Sequence, residues 1–297
     1  MVDFVATLIA RPADSAELAA AAAACSQAID VKERIVLCEG EAVDLFFSSG
    51  DFIEELRARL ELKVARHPVD VAVQPAAGRM KRLLIADMDS TIIGQECLDE
   101  LADFAGLKAR VAAITERAMK GEIEFEPALR ERVALLAGLP AATIDKVLAE
   151  RITLNPGART LVWTMRANGA ATVLVSGGFT AFVDAVAAMA GFEESRANEL
   201  LVGGGKLTGK VKEPILGRSA KLATLEDALL RRRLSAEEAL AVGDGANDLG
   251  MIRRAGLGVA YHAKPKVAEA AAARIDHGDL TALLYLQGYR RGQFVES

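Results

Sequence analysis

Two aspartates, Asp87 and Asp89, follow an apolar run at residues 83–86 that is typical of a short buried strand. Residues two apart on an extended backbone project to the same side, so both carboxylates should point at one place. Two like charges held together repel each other unless a cation or a proton lies between them. The pair therefore predicts a magnesium site in which one carboxylate attacks and the other handles a proton, although a strand that frays into a polar loop gives the same short pattern.

Two further segments could bind an anion. Ser176, Gly177 and Gly178 follow a second apolar run at residues 172–175, and glycines there would let backbone N–H groups approach a phosphate at the start of the next helix. Lys221 stands at the start of an amphipathic helix. Taken alone, the first segment is equally well explained as a plain strand–turn–helix and the second as a solvated lysine.

A glycine turn with three polar side chains follows a third apolar run, at residues 239–242. The turn has the sequence GDGAND and contains Asp244, Asn247 and Asp248. Hard oxygen ligands at the carboxyl end of a strand suit magnesium. Such a turn is weak evidence by itself, but its position downstream of the other segments, in this order, favours a catalytic site.

In this order the segments resemble the motifs of the haloacid-dehalogenase superfamily of phosphotransferases. Within it the chain resembles the phosphoserine phosphatases, over roughly residues 80–290, in the segments DMDSTIIGQE, ITERAMKGEIEFEPALRERVALLAGLP, SGGF, GGGKLTGKV and VGDGANDLGMI. The resemblance implies a magnesium-dependent hydrolysis of O-phospho-L-serine through an aspartyl-phosphate, the last step of serine biosynthesis. Transfer of the phosphoryl group to another alcohol such as homoserine is an alternative, and so is an amino-acid-sensing protein with a vestigial phosphatase domain.

The resemblance also implies a role for each motif residue. Asp87 would be the nucleophile, and Asp89 would act first as a general acid and then as a general base. Magnesium would be held by the side chains of Asp87 and Asp244 and by the backbone carbonyl of Asp89. Asp248 would support these ligands and orient Lys221 or a water molecule.

The substrate would be bound by a phosphate cradle and by residues that read the serine moiety. The implied cradle consists of Ser176, Gly177, Lys221 and Asn247. Glu96 would pair with the substrate ammonium and Arg132 with its carboxylate, because a guanidinium matches a carboxylate bidentately. Met119 and Phe125 would form an apolar wall. Without the resemblance, Glu96 and Arg132 would be ordinary charges on helix surfaces.

The chain is predicted to have two domains joined by a linker at residues 75–78. Residues 1–76 show the order βαββαβ of a ferredoxin-like fold and resemble the ACT-like domains that bind amino acids, although a structural or dimerising role is as reasonable. Residues 80–297 alternate strands with helices, which predicts a Rossmannoid parallel sheet covered on both faces. A helical insertion at about 95–157 predicts a cap over the strand ends, and 195–211 predicts a hairpin on the core. All motif residues follow the linker, so the front domain is expected to be dispensable for chemistry.

Composition and charge bear on the partners and the cellular location of the protein. The 297 residues carry a net charge of −5, which argues against nucleic acid as a partner. Three scattered cysteines suggest neither a disulfide framework nor a metal site, as expected for a cytoplasmic protein. The first residues lack a basic region, so neither a signal peptide nor membrane attachment is expected. A homodimer is compatible with the sequence, but nothing in it requires one.

Overall fold

The front part of the chain folds around an antiparallel sheet. In the computed structural model, which describes residues 1–119, 122–217 and 219–296, this four-stranded sheet has the strand order β2-β3-β1-β4. Its strands are β1 (Val2–Ala10), β2 (Val31–Cys38), β3 (Ala42–Ser49) and β4 (Val69–Pro75), and its helices are α1 (Ser15–Ser26) and α2 (Ile53–Val64). The βαββαβ order predicted from the sequence is therefore present.

Both faces of this front sheet are covered, which is unusual for a small antiparallel sheet. Leu8 of β1 packs with Leu56 and Leu60 of α2 on one face. Ile9 and Ala72 face the other way and belong to the hydrophobic core of the rest of the molecule. This double burial explains why every residue from 4 to 10 is buried without alternation.

The second sheet is parallel and has six strands in the order β12-β11-β10-β5-β6-β7. Its strands are β5 (Leu83–Asp87), β6 (Ala171–Phe179), β7 (Glu194–Asn198), β10 (Ala239–Gly243), β11 (Leu257–Tyr261) and β12 (Ala273–Ile275). The helices around it are α7 (Ala158–Ala167), α8 (Thr180–Ala190), α9 (Ala220–Arg232), α10 (Leu249–Arg254), α11 (Pro265–Ala268) and α12 (Ala282–Leu286). This confirms the predicted parallel sheet.

Strand β5 lies at the point where the strand order reverses. Its neighbours are β6 on one side and β10 on the other, and Ala86 is in register with both Leu174 and Val242. All residues of β5 and β10 are buried, as is expected of central strands covered on both faces. Ligands of open α/β sheets bind outside the carboxyl ends of the strands at such a switch point.

A helical insertion follows β5 and covers this edge of the sheet. Its helices are α3 (Cys97–Phe104), α4 (Lys108–Met119), α5 (Phe125–Ala134) and α6 (Thr143–Arg151). These bounds agree to within about two residues with the helices expected from the sequence, at 96–104, 107–119, 125–136 and 141–151. None of the helices that the structure describes has the length and hydropathy needed to cross a membrane.

The hairpin predicted at 195–211 is shorter than expected, and it contacts the cap where the sequence predicted contact with the core. Residues 194–198 form β7 of the parallel sheet, and the hairpin consists only of β8 (Leu200–Gly203) and β9 (Lys206–Val211). Leu207 exchanges backbone hydrogen bonds with Gly138 and Leu139, at 2.9 and 2.8 Å. The hairpin is thus attached to the cap, because its apolar side chains pack against α5 and the turn that follows it.

Candidate active site

The ends of β5, β6 and β10 and the inner face of the cap enclose a cavity of about 200 Å³. The residues predicted from the sequence that line it are Asp87, Asp89, Glu96, Phe125, Arg132, Ser176, Gly177, Asp244 and Asn247. Lys221 and Asp248 lie buried beside Asp87. The side chain of Met119 falls outside the described part of the chain. The structure therefore brings together all the predicted site residues whose side chains it describes.

The ammonium group of Lys221 lies between two buried carboxylates. Lys221 Nζ is 2.6 Å from Asp87 Oδ1 and 2.6 Å from Asp248 Oδ1. Burial alone would lower the pKa of Lys221, but these two carboxylates outweigh it and raise that pKa. Lys221 consequently keeps its positive charge next to Asp87, where an incoming anion would need it.

Three carboxylates converge beside this lysine. Asp87, Asp244 and Asp248 each offer an oxygen atom within 4.8 Å of the others. Burial and the charge of Asp248 raise the pKa of Asp87 and that of Asp244. One ammonium does not neutralise three carboxylates, and carboxylate oxygens are preferred ligands of hard divalent cations. The donor set therefore fits a divalent metal ion.

Asp248 is the carboxylate already engaged by the protein. Its Oδ1 accepts a hydrogen bond from Lys221, and its Oδ2 accepts one from the N–H of Gly245 at 2.9 Å. A Cβ atom on Gly243 would lie only 2.4 Å from Asp248 Cγ, so glycine at that position leaves the room that this side chain occupies. Asp248 is thus placed to hold Lys221 and the turn that carries Asp244.

Asp89 points into the same cavity from an irregular turn. Strand β5 ends at Asp87, and Ser90 adopts a left-handed conformation with φ of 56°. Asp89 Oδ1 accepts the N–H of Cys97 at 2.9 Å, and Oδ2 accepts the hydroxyl of Ser176 at 3.1 Å. Burial raises the pKa of Asp89. A carboxyl group with a raised pKa holds a proton that it can deliver to a leaving group.

Two opposite charges line the cap side of the cavity. The carboxylate of Glu96 accepts a hydrogen bond of 2.7 Å from the hydroxyl of Ser90. Desolvation by surrounding protein atoms and the charge of Asp89 raise the pKa of Glu96 to about 7, although part of the side chain reaches solvent at the cavity mouth. Arg132 is half-buried, and burial lowers its pKa while the charges of Asp99 and Glu96 counteract this. Such a pair can bind a small molecule that carries both charges.

The structure adds residues that no motif indicated. Lys264, which precedes α11, lines the cavity, donates its backbone N–H to the Asp244 carbonyl at 3.2 Å, and counteracts the raised pKa of Asp244. Asn198 is buried at the end of β7, and its side-chain amide donates a hydrogen bond of 2.9 Å to the carbonyl of Gly177. A lysine after a strand and an asparagine at a strand end have too many other uses to be singled out from sequence.

The chain is similar to known phosphatases. Residues 84–253 match the family of haloacid dehalogenase-like hydrolases. A phosphoserine phosphatase of Streptomyces coelicolor is 41% identical over 96% of this chain and 70% of its own length. The phosphoserine phosphatase SerB2 of Mycobacterium tuberculosis is 44% identical over 80% of this chain, but the match spans only 58% of that relative. A solved phospho-aspartyl intermediate analogue of phosphoserine phosphatase is 39% identical, covers 69% of this chain and 98% of its own, and superposes with a TM-score of 0.64.

Proposed function

Because the chain belongs to the haloacid dehalogenase-like hydrolases and, among them, to the phosphoserine phosphatases, we propose that it hydrolyses O-phospho-L-serine to L-serine and phosphate. The observation that carries this proposal is the cavity that joins the Asp87–Lys221 pair to Glu96 and Arg132. One end of that cavity suits a phosphate, and the other suits an ammonium and a carboxylate.

In the first step, a carboxylate oxygen of Asp87 attacks phosphorus. The bond between phosphorus and the serine oxygen breaks, and Asp89 donates its proton to that oxygen, so that serine leaves as an alcohol. Asp87 then carries the phosphoryl group as an acyl phosphate. The hydroxyl of Ser176, which already bonds Asp89 Oδ2, keeps the acid aimed at the leaving oxygen.

In the second step, Asp89 acts as a base. It removes a proton from a water molecule, whose oxygen attacks phosphorus and displaces the carboxylate of Asp87. Phosphate is released and both aspartates return to their starting states. Charge on the phosphoryl oxygens is stabilised by the ammonium of Lys221, the N–H of Gly177 and the amide of Asn247.

We propose magnesium as the metal ion, held by the side chains of Asp87 and Asp244 and by the backbone carbonyl of Asp89. When bound, it supplies fixed positive charge opposite the oxygens of the transferring group. Asp248 supports this site by holding Lys221 and the Gly245 N–H.

Recognition of the serine moiety is assigned to the cap. Glu96 pairs with the ammonium, and Arg132 pairs with the carboxylate. Phe125 forms an apolar wall, and its ring would lie 3.3 Å from a Cβ atom at Gly177. The resemblance assigns Met119 to the same wall, but its side chain lies outside the described part of the chain.

Metal dependence and acceptor choice can be tested together. Protein stripped with a chelator should lose phosphoserine hydrolysis by at least about a hundredfold, or ~2.7 kcal/mol of barrier, and regain it with magnesium. Phosphorus NMR with phosphoserine, magnesium and excess homoserine should show inorganic phosphate as the only new species. Undiminished activity after chelation would contradict the metal site, and a phosphohomoserine signal would establish the transferase alternative.

The pH profile should report Glu96. With a pKa of about 7, its carboxylate becomes protonated as the pH falls through that value and can no longer pair with the ammonium. We therefore expect kcat/KM for phosphoserine, divided by that for p-nitrophenyl phosphate, to fall as the pH falls through about 7. The ratio cancels the titration of enzyme groups that act equally on both substrates. Glu96→Gln should make the ratio low and flat, and an unchanged slope would assign the effect to another group.

The organisation of the protein is proposed as follows. Residues 1–76 form an ACT-like unit, and residues 80–297 form the phosphatase with a cap at about 95–157, a division supported by the two separate sheets. A cytoplasmic location is supported by the three free cysteines. A homodimer is supported by exposed apolar side chains on the front domain, such as Phe52 and Leu62.

A further inference from the structure

The cap is tied to the core by two short antiparallel segments, residues 91–95 and 153–157, which we call the cap hinge. Ile93 and Leu154 form a β-bridge. Asn155 donates its backbone N–H to the Ile92 carbonyl and its side-chain amide to the Thr91 carbonyl, both at 2.8 Å. Any movement of the cap relative to Asp87 must pass through these residues.

The cap hinge rests directly on a segment near the C-terminus. Leu280 donates its N–H to the Pro156 carbonyl at 3.1 Å. A Cβ atom on Gly157, which has φ of 79°, would lie 2.7 Å from Thr281 N and 2.9 Å from Asp279 Oδ1. The backbones are too close for a side chain between them, so a shift of this segment must shift the hinge. We call residues 276–286 the brace.

The other side of the brace is held by a buried carboxylate of the front domain. Asp70 in β4 is 4% exposed. Its Oδ1 accepts the N–H of Asp276 at 2.8 Å, its Oδ2 accepts the N–H of Gly278 at 2.8 Å, and the N–H of His277 lies 3.1 Å from Oδ1. A buried carboxylate is costly unless hydrogen bonds satisfy it. The brace supplies those bonds, so the position of Asp70 fixes residues 276–278.

A second set of contacts fixes the end of the brace. Gln74 donates a hydrogen bond of 2.6 Å to the Leu286 carbonyl, and Arg79 donates to the carbonyls of Tyr285 and Leu286 at 3.2 Å. Arg79 in turn pairs with Asp44, a buried residue of β3, at 2.7 Å. Both ends of the brace are therefore held by side chains of the front sheet, with Arg79 just after the linker as a further contact.

We propose that Asp70 is a positioning residue for the cap: through the brace it sets the cap hinge, and so the distance of Glu96 and Arg132 from the reacting phosphate. This inference rests on the proposed hydrolysis of phosphoserine. It leaves the front domain dispensable for the chemistry itself, as expected from the sequence, and adds a role for that domain in substrate recognition. An aryl phosphate carries neither an ammonium nor a carboxylate, so its hydrolysis depends less on where the cap residues lie.

The test compares Asp70→Ala and Asp70→Asn with the wild type in the full-length chain. We expect Asp70→Ala to lower kcat/KM for phosphoserine about tenfold, mainly through KM, and that for p-nitrophenyl phosphate less than about twofold. Asp70→Asn keeps the volume and one acceptor oxygen and should be intermediate. Hydrogen exchange of peptides containing residues 91–95 and 153–157 should accelerate, whereas exchange in β10 should not change.

Asp51→Ala is the matched control, because it removes an exposed front-domain carboxylate that pairs only at the surface, with Arg59 at 2.8 Å. Equal losses with both substrates, or unchanged hinge exchange in folded Asp70→Ala, would overturn the proposal. If Asp70→Ala does not fold, the same criteria apply to Asp70→Asn. A wild-type protein that hydrolyses only the aryl phosphate would refute the proposed function, while hinge exchange would still decide the role of Asp70.

Discussion

Asp87→Asn should leave a folded protein with less than about one thousandth of the phosphoserine hydrolysis, a barrier increase of more than ~4 kcal/mol. An amide oxygen is a poor nucleophile toward phosphorus, and it is a weaker ligand for a divalent cation than a carboxylate. The volume hardly changes, and Lys221 keeps Asp248 as a partner at 2.6 Å. Turnover should be measured alongside the melting temperature, so that loss of chemistry is separated from loss of fold.

A direct view of the covalent step strengthens this test. Acid-quenched wild-type protein should yield a phosphorylated peptide that contains Asp87, and Asp87→Asn should yield none. Asp145→Asn, which changes an exposed aspartate of the cap, should retain both turnover and the phosphopeptide. Phosphoserine turnover by Asp87→Asn above the stated limit would mean that the phosphoryl group goes directly to water.

Arg132→Ala should lower kcat/KM for phosphoserine, and the loss should correspond to a barrier increase of about 2–5 kcal/mol. The reason is that a half-buried charged pair between Arg132 and the substrate carboxylate is lost. Hydrolysis of p-nitrophenyl phosphate should change much less, since that substrate has no carboxylate. The comparison of the two substrates measures recognition separately from catalysis.

Arg130→Ala is the matched control on the same helix. Arg130 is exposed and pairs with Glu213 at 2.9 Å and with Glu126 at 3.4 Å, away from the cavity. Arg130→Ala should leave kcat/KM for both substrates nearly unchanged. If Arg132→Ala lowered kcat/KM equally for both substrates, Arg132 would stabilise the cap itself and would not recognise the substrate.

Much of the fold could be predicted because central parallel strands are continuous apolar runs. The runs before Asp87, Ser176 and Asp244 became β5, β6 and β10, and each ends at the same edge of the sheet. The cap helices were recognisable as helical segments separated by glycines and prolines. The hairpin was misplaced because sequence does not tell which partner, sheet or cap, will bury its apolar side chains.

The sequence predicted which residues form the site better than it predicted how they are arranged. The convergence of Asp87 and Asp89 was expected from alternation along a strand, but the strand ends at Asp87, and the left-handed turn at Ser90 follows directly. Asp70 gave no signal, because its partners are backbone N–H groups more than two hundred residues away along the chain. Such contacts follow from tertiary packing, which a local pattern does not contain.

The double coverage of the front sheet has a consequence for biosynthesis. Strands β1 to β4 leave the ribosome before the phosphatase core and can pair with each other at once, since their neighbours are close in sequence. The face that carries Ile9 and Ala72 has to wait for α12, which follows all strands of the parallel sheet in the chain. Until α12 has been made, this apolar surface stays open to water and to chaperones. Folding of the phosphatase core therefore also buries the remaining apolar face of the front sheet, which is made before it.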